Sequence, residues 1–173
     1  APAPRYMNSI YVASKLVESL QHVQHDLRDY GAQDSGYDIP YTTVHVGKIS
    51  GGTALNIVPN QCVVDYEIRH LAQDSSQRIQ AQILESIQSE FQQHIDVEEV
   101  NQYPGLSTSS TIEAVQFIQT LLPKETSLGN ISFGTEGGLF QDALTCPVVV
   151  CGPGDIAVAH KPNEYVAIEQ LNQ

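Results

Sequence analysis

Between Arg5 and Asp29 the apolar residues Ile10, Ala13, Val17, Leu20 and Leu27 recur at steps compatible with a helix, and Leu16 and Val23 widen the stripe. Such spacing puts one apolar face on a 3.6-residue helix and predicts the longest amphipathic helix of the chain. Tyr30-Gly31 stops it, and the Gly-, Asp- and Ser-containing stretch from Ala32 to Pro40 is expected to be a solvated loop. Thr42 to Ile49 alternates as a strand. Ser50-Gly51-Gly52-Thr53 then turns the chain before an apolar patch at Leu55, Ile57 and Val58. The next strand is clearer: Cys62, Val64, Tyr66 and Ile68 fall on one face, and Asp65, Glu67 and Arg69 on the other, the period of a half-buried antiparallel strand.

After the Asp74-Ser75-Ser76 cap signal, Ile79, Ile83, Ile87 and Phe91 step by four along a second helix expected to end near His94. A short strand, Val97 to Val100, should follow. Helix, strand, strand, helix, strand, with single-faced helices, predicts an α+β domain, a ferredoxin-like two-layer α/β sandwich. The composition then changes. Tyr103 to Ser110 is a Pro, Gly, Ser and Thr linker, which places a domain boundary near Pro104. Thr111 to Leu122 carries Ile112, Val115, Ile118 and Leu122 on one side of a third helix, closed by Pro123. Ile131 to Phe133, a Gly134-Thr135-Glu136-Gly137-Gly138 turn, the helix-like run Leu139 to Leu144 and the apolar run Pro147 to Cys151 predict a strand-helix-strand piece of a larger parallel sheet. Internal repeats, heptads and low-complexity tracts are absent from the sequence.

At 173 residues the chain can hold one domain or two small ones. Eight Lys+Arg against 20 Asp+Glu give a net charge of −12, with no basic stripe. That balance argues against nucleic acid and against anionic membranes as partners. No apolar run approaches the roughly 18 residues of a membrane span, and no export signal is visible at the N-terminus. Cys62, Cys146 and Cys151 lie in apolar runs without Cys-x-x-Cys spacing, so buried, reduced thiols and a cytoplasmic address are expected.

Of six histidines, His22 and His25 share a helical face, but no carboxylate completes a metal shell there. His160 follows a Gly-Pro-Gly loop after an apolar strand, where open α/β sheets place ligand-binding groups. Taken alone, a single loop histidine is more often a surface residue. The Gly51-Gly52 pair permits a backbone path that a Cβ would block, and Asn56 just beyond can orient a carboxylate or amide. Arg69 can grip a carboxylate bidentately or serve in a cross-strand salt bridge. The 134–138 turn lacks the Lys of a phosphate-binding loop, although its N–H groups can meet a carboxylate.

Three of these segments carry a resemblance. Gly152-Pro153-Gly154-Asp155-Ile156-Ala157-Val158-Ala159-His160-Lys161-Pro162-Asn163-Glu164-Tyr165 resembles the closing segment of the M20 metallopeptidase and deacylase family, in its acetylornithine deacetylase-like branch. Gly51-Gly52-Thr53-Ala54-Leu55-Asn56-Ile57-Val58-Pro59, ahead of Asp65-Tyr66-Glu67-Ile68-Arg69, and Gly134-Thr135-Glu136-Gly137-Gly138 resemble two further signatures, in the family's order. The match starts at Pro4-Arg5-Tyr6-Met7-Asn8-Ser9-Ile10, like the first lid helix. The resemblance implies a lid and dimerisation domain over residues 1–104 and the C-terminal segment of a metallohydrolase catalytic domain over 105–173.

It also implies His160 as a ligand of zinc or cobalt, with Glu164 supporting its tautomer. Asn56, Arg69, Thr135, Glu136 and Gly137 would bind substrate, an N-acyl amino acid, in an enzyme that dimerises through the lid. Asn163 stands where many relatives carry Asp. The family's His-x-Asp pair, bridging Asp, Glu-Glu pair and further acidic ligand have no counterpart in this chain. No catalytic residue and no complete metal site are therefore expected within it, and the chain alone should be inactive. The strand that normally precedes the first lid helix is also missing. A shortened chain, a fragment still attached to its other half and a lid completed by another chain all fit. A non-catalytic dimerisation or small-molecule-binding module of the same fold is the alternative to the enzyme.

Overall fold

The structure, a computed structural model, describes residues 6–124, 126–159 and 161–172. These fall into two compact units. One comprises the chain up to Gln102 together with Asn130–Ser132, and the other Tyr103–Gly129 and the chain from Phe133 onward.

The first unit opens with helix α1, Ser9–Tyr30. It starts later than the apolar spacing from Arg5 predicts, because the Asn8 side chain accepts the Ile10 N–H at 2.9 Å and caps the helix there. At the other end the Gly31 N–H bonds the Leu27 carbonyl, and a Cβ on Gly31 would lie 2.9 Å from the Leu27 Cα. Gly31 itself turns extended (φ −74°, ψ 179°), which ends the helix where a side chain would clash with its last turn. The buried face is Val12, Ala13, Leu16, Ser19, Leu20 and Val23, which leaves Ile10 exposed and Val17 at the edge.

Strands β1 (Thr43–Gly51) and β2 (Cys62–Arg69) pair antiparallel. Along β2 half-buried and exposed residues alternate without a break, with Cys62, Val64, Tyr66 and Ile68 inward. The partner strand cannot keep that phase, because a bulge between Val46 and Lys48 inserts Gly47. Ahead of it Val44 and Val46 oppose the inward Ile68 and Tyr66. Beyond it Ile49 and Gly51 oppose Val64 and Cys62. One extra residue thus moves the set opposite the inward β2 residues from even to odd positions, although beyond the bulge Ile49 is exposed and only Val44 and Val46 reach the core.

Helix α2 (Ser76–Glu85) is capped by Ser75, whose hydroxyl accepts the Arg78 N–H at 3.3 Å. The expected single helix to His94 is broken: Ser86 to Gln88 intervene before the short α3 (Ser89–Gln92). The cause is competition for one carbonyl. Ser19 and Ser86 hydroxyls both donate to Ile83 O, at 2.6 and 2.8 Å, and the Ile87 N–H turns to Leu84 O instead. Leu16, Leu20, Val23, Val44, Ile79, Ile83 and Ile87 form the core, so helices cover one face of the sheet in an α+β architecture.

Val97–Val100 joins no ladder among the described residues. Its valines stand three apart, so a strand would point them to opposite faces with two glutamates between. Thr42, almost fully buried, donates to the Asp74 carboxylate and accepts the Leu71 N–H at 3.0 Å, which ties the entry of β1 to the exit of β2.

The second unit holds α4 (Glu113–Leu121), α5 (Gly137–Leu144), a 3-10 turn at Ile156–Val158 and α6 (Ile168–Leu171). Neither Ile131–Phe133 nor Pro147–Cys151 pairs as a strand among the described residues. Ile131 and Ser132 group with the first unit and Pro147–Cys151 with the second. Val115 is this unit's one buried large apolar side chain among the described residues, whereas Phe117, Leu121, Phe140 and Leu144 are exposed. Cys146 and Cys151 are likewise exposed rather than buried, and Cys62 is half-buried. Among the described residues no helix is long and apolar enough to cross a membrane.

Candidate functional site

The loop from Gly52 to Gln61 leaves the sheet where Gly51 pairs with Cys62. A Cβ on Gly51 would come 2.7 Å from the Cys62 sulfur, and Gly52 has φ +83°, a region that favours glycine. Both glycines of the signature therefore have a structural cause. The Pro59 carbonyl accepts the Ser9 N–H at 3.2 Å, which ties the loop to the start of α1. Asn56 is exposed in the loop, beside a fully exposed Leu55.

Arg69 stands at the opposite end of β2, where it pairs with Thr43. The eight-residue strand spans roughly 23 Å at about 3.3 Å per residue. Asn56 and Arg69 are thus placed at opposite ends of one strand and are not brought together. The ion-pair partner of Arg69 is on its own strand rather than across it: Nε donates to Glu67 Oε1 at 3.0 Å. Nη1 donates to the Ser132 carbonyl at 3.4 Å. Sequence reading placed Glu67 on the same face as Arg69 without giving it a role. The acid-x-Arg spacing on a strand was the available signal.

In the second unit, Thr135 is half-buried and its hydroxyl accepts the Gly137 N–H at 3.2 Å. Glu136 is exposed at the start of α5 and makes no side-chain cap. Gly137 and Gly138 are buried against the linker. A Cβ on Gly137 would lie 2.8 Å from Leu106 Cδ2, and one on Gly138 would run into the Pro104 carbonyl. The turn is glycine-rich because the linker packs on it.

His160 lies outside the described residues. Around it, Asp155 accepts the Ala157 N–H at 2.8 Å, Gly154 has φ +120°, Asn163 has φ 63°, and the exposed Glu164 closes a turn through its N–H to the Lys161 carbonyl. Among the described residues no three His, Cys, Asp or Glu side chains gather at one point, so no metal centre is assembled there. His22 pairs with Asp26 at 3.5 Å on an exposed face.

The surface of the described residues includes open depressions. One of about 530 Å³ is lined by Ser107, Thr108, Glu113 and Gln141 among others, and one of about 290 Å³ by Lys15, Glu18, Ser19 and His22 among others. Neither holds Asn56, Arg69, Thr135, Glu136, Gly137 or Glu164. In the larger one, Thr108 is already bonded to Val148 O at 2.6 Å and Gln141 to Ser107 O at 3.1 Å, which marks a packing joint.

Residues 2–96 match the sequence model of the M20 peptidase dimerisation domain. The chain belongs to that family. An acetylornithine deacetylase from Myxococcus xanthus is 33% identical over 95% of the chain and 43% of its own length. The acetylornithine deacetylases of Aliivibrio salmonicida and Pasteurella multocida are 26% and 27% identical, over 98% and 96% of the chain. The chain therefore spans less than half the length of these relatives, at 43%, 45% and 43% respectively.

Proposed function

We propose that this chain is the lid and dimerisation domain, residues 1–104, and the C-terminal catalytic-domain segment, 105–173, of a metal-dependent amidohydrolase that removes the N-acyl group from an amino acid. N-Acetylornithine is the foremost substrate. The carrying observation is the 33% identity to an acetylornithine deacetylase along 95% of the chain, through both units. The apolar side chains left exposed on α4 and α5 support a second unit built to be covered by further protein.

In this reading His160 donates one imidazole to a zinc or cobalt site whose other donors lie on protein outside this chain, so the isolated chain is inactive. Glu164 supports the His160 tautomer. Arg69 binds the substrate carboxylate, and Asn56, Thr135, Glu136 and Gly137 contact substrate. A ligand the size of an N-acyl amino acid does not reach from Arg69 to the far end of β2. In the proposed lid-mediated homodimer, Asn56 and Arg69 of one chain therefore serve different substrate molecules. Three free thiols fit a reducing, cytoplasmic setting.

The test is hydrolysis of N-acetylornithine, N-succinyl-diaminopimelate and a dipeptide by the full-length protein. Preference for N-acetylornithine supports the reading. Turnover of none supports a non-catalytic module.

A further inference from the structure

We infer that Glu67 is a positioning residue for Arg69, holding its guanidinium so that the remaining N–H groups face an incoming substrate carboxylate. This rests on the reading of Arg69 as a substrate-binding residue.

Residues two apart on a strand project from the same face, so Glu67 and Arg69 stand side by side on the solvent side of β2. A guanidinium carries five N–H donors in a rigid plane. Nε is committed to Glu67 at 3.0 Å and one Nη1 proton to the Ser132 carbonyl at 3.4 Å. That leaves both Nη2 protons and one on Nη1, enough for bidentate capture of a carboxylate. The neighbouring groups leave this task to Glu67. Asp65 lies 3.9 Å from Lys48, and the residue opposite Arg69 in the ladder is the uncharged Thr43.

The pair is not explained by stability. Both side chains are about half exposed, at 49% for Glu67 and 61% for Arg69, and exposed ion pairs contribute little to folding. Its effect is on order. An unrestrained arginine loses rotamer freedom when it grips a ligand, whereas one already held by a carboxylate and a carbonyl has lost part of that freedom beforehand. A carboxylate on Nε also carries an opposing possibility, since it competes with the substrate for the same cation. The two roles predict opposite signs.

The experiment compares Glu67→Ala, Glu67→Gln and Arg69→Ala in the full-length protein, with N-acetylornithine as substrate. Positioning predicts that Glu67→Ala raises KM roughly tenfold with kcat within about twofold, the size of one charge-assisted hydrogen bond. Glu67→Gln, which keeps an acceptor for Nε, recovers most of that loss. Glu67→Ala added to Arg69→Ala changes nothing further. In an NMR spectrum of the protein, the Arg69 Nε proton exchanges slowly in the wild type and rapidly in Glu67→Ala. A KM that falls or stays the same in Glu67→Ala, while Arg69→Ala raises it, overturns the positioning role and leaves the Arg69 reading standing. A KM unmoved by Arg69→Ala overturns that reading itself.

Discussion

The Ser19 hydroxyl on α1 donates to the Ile83 carbonyl on α2 at 2.6 Å, a buried bond between residues 64 apart in the chain. It joins α1 to α2 and takes part in ending α2. Ser19→Ala should lower the unfolding free energy by about 1–2 kcal/mol, measured by denaturant titration. The Ser19→Ala/Ser86→Ala double variant frees the Ile83 carbonyl for the Ile87 N–H. Helicity by circular dichroism should then rise as α2 extends past Glu85.

Gly138 has no room for a side chain, since a Cβ there meets the Pro104 carbonyl, which is backbone and cannot rotate away. Gly138→Ala should destabilise the second unit by roughly 1–3 kcal/mol, as overpacking does. Gly129→Ala meets nothing within 4 Å and is the neutral control. Equal melting temperatures for the two variants would refute this packing account.

The Tyr66 hydroxyl is sheltered on the inward face of β2 and finds no hydrogen-bond partner among the described residues. Burial also raises the Tyr66 pKa above its usual value of 10.0. A raised folded pKa means stabilisation fully present below pH 10 and lost as the pH climbs through the folded value. Tyr66→Phe should be neutral or stabilising by about 1 kcal/mol at pH 7, and should flatten the alkaline decline. Urea titrations at pH 7 and above pH 10 measure both effects.

At the acid end, Glu18 and Asp29 are held below the ordinary carboxylate range, chiefly by hydrogen bonds from Lys15 and Arg28. Their stabilisation is present above the unfolded carboxylate values and disappears as the pH falls through the lowered folded ones. Both pairs lie at the solvent-facing surface, so added salt should shrink the acid slope between low and physiological ionic strength. Stability measured against pH in the two salts provides the check.

Where apolar spacing and a single neighbouring layer decide the outcome, the sequence was legible. The alternation from Cys62 to Arg69 maps residue for residue onto β2, and Ile79 and Ile83 onto the core face of α2. The break at Ser86 was hidden, because the serine that helps cause it, Ser19, lies on another helix. The bulge at Gly47 was hidden too, since it shows only against the phase of the partner strand. Ile131–Phe133 and Pro147–Cys151 have strand composition without a strand's partner. Apolar, β-branched composition alone does not make a strand without a neighbour to pair with, and none is present among the described residues. Among the candidate site residues, the glycines were legible as close approaches. The separation of Asn56 from Arg69 was not, because motif order carries no distance.

The central claim concerns the imidazole of His160, and the most direct measurement is the metal content and N-acetylornithine turnover of the full-length protein beside its His160→Ala variant. The account predicts that the variant, with an unchanged circular dichroism spectrum, binds at least one zinc fewer per chain and loses turnover. Equal metal content and equal kcat/KM in the two proteins would contradict it.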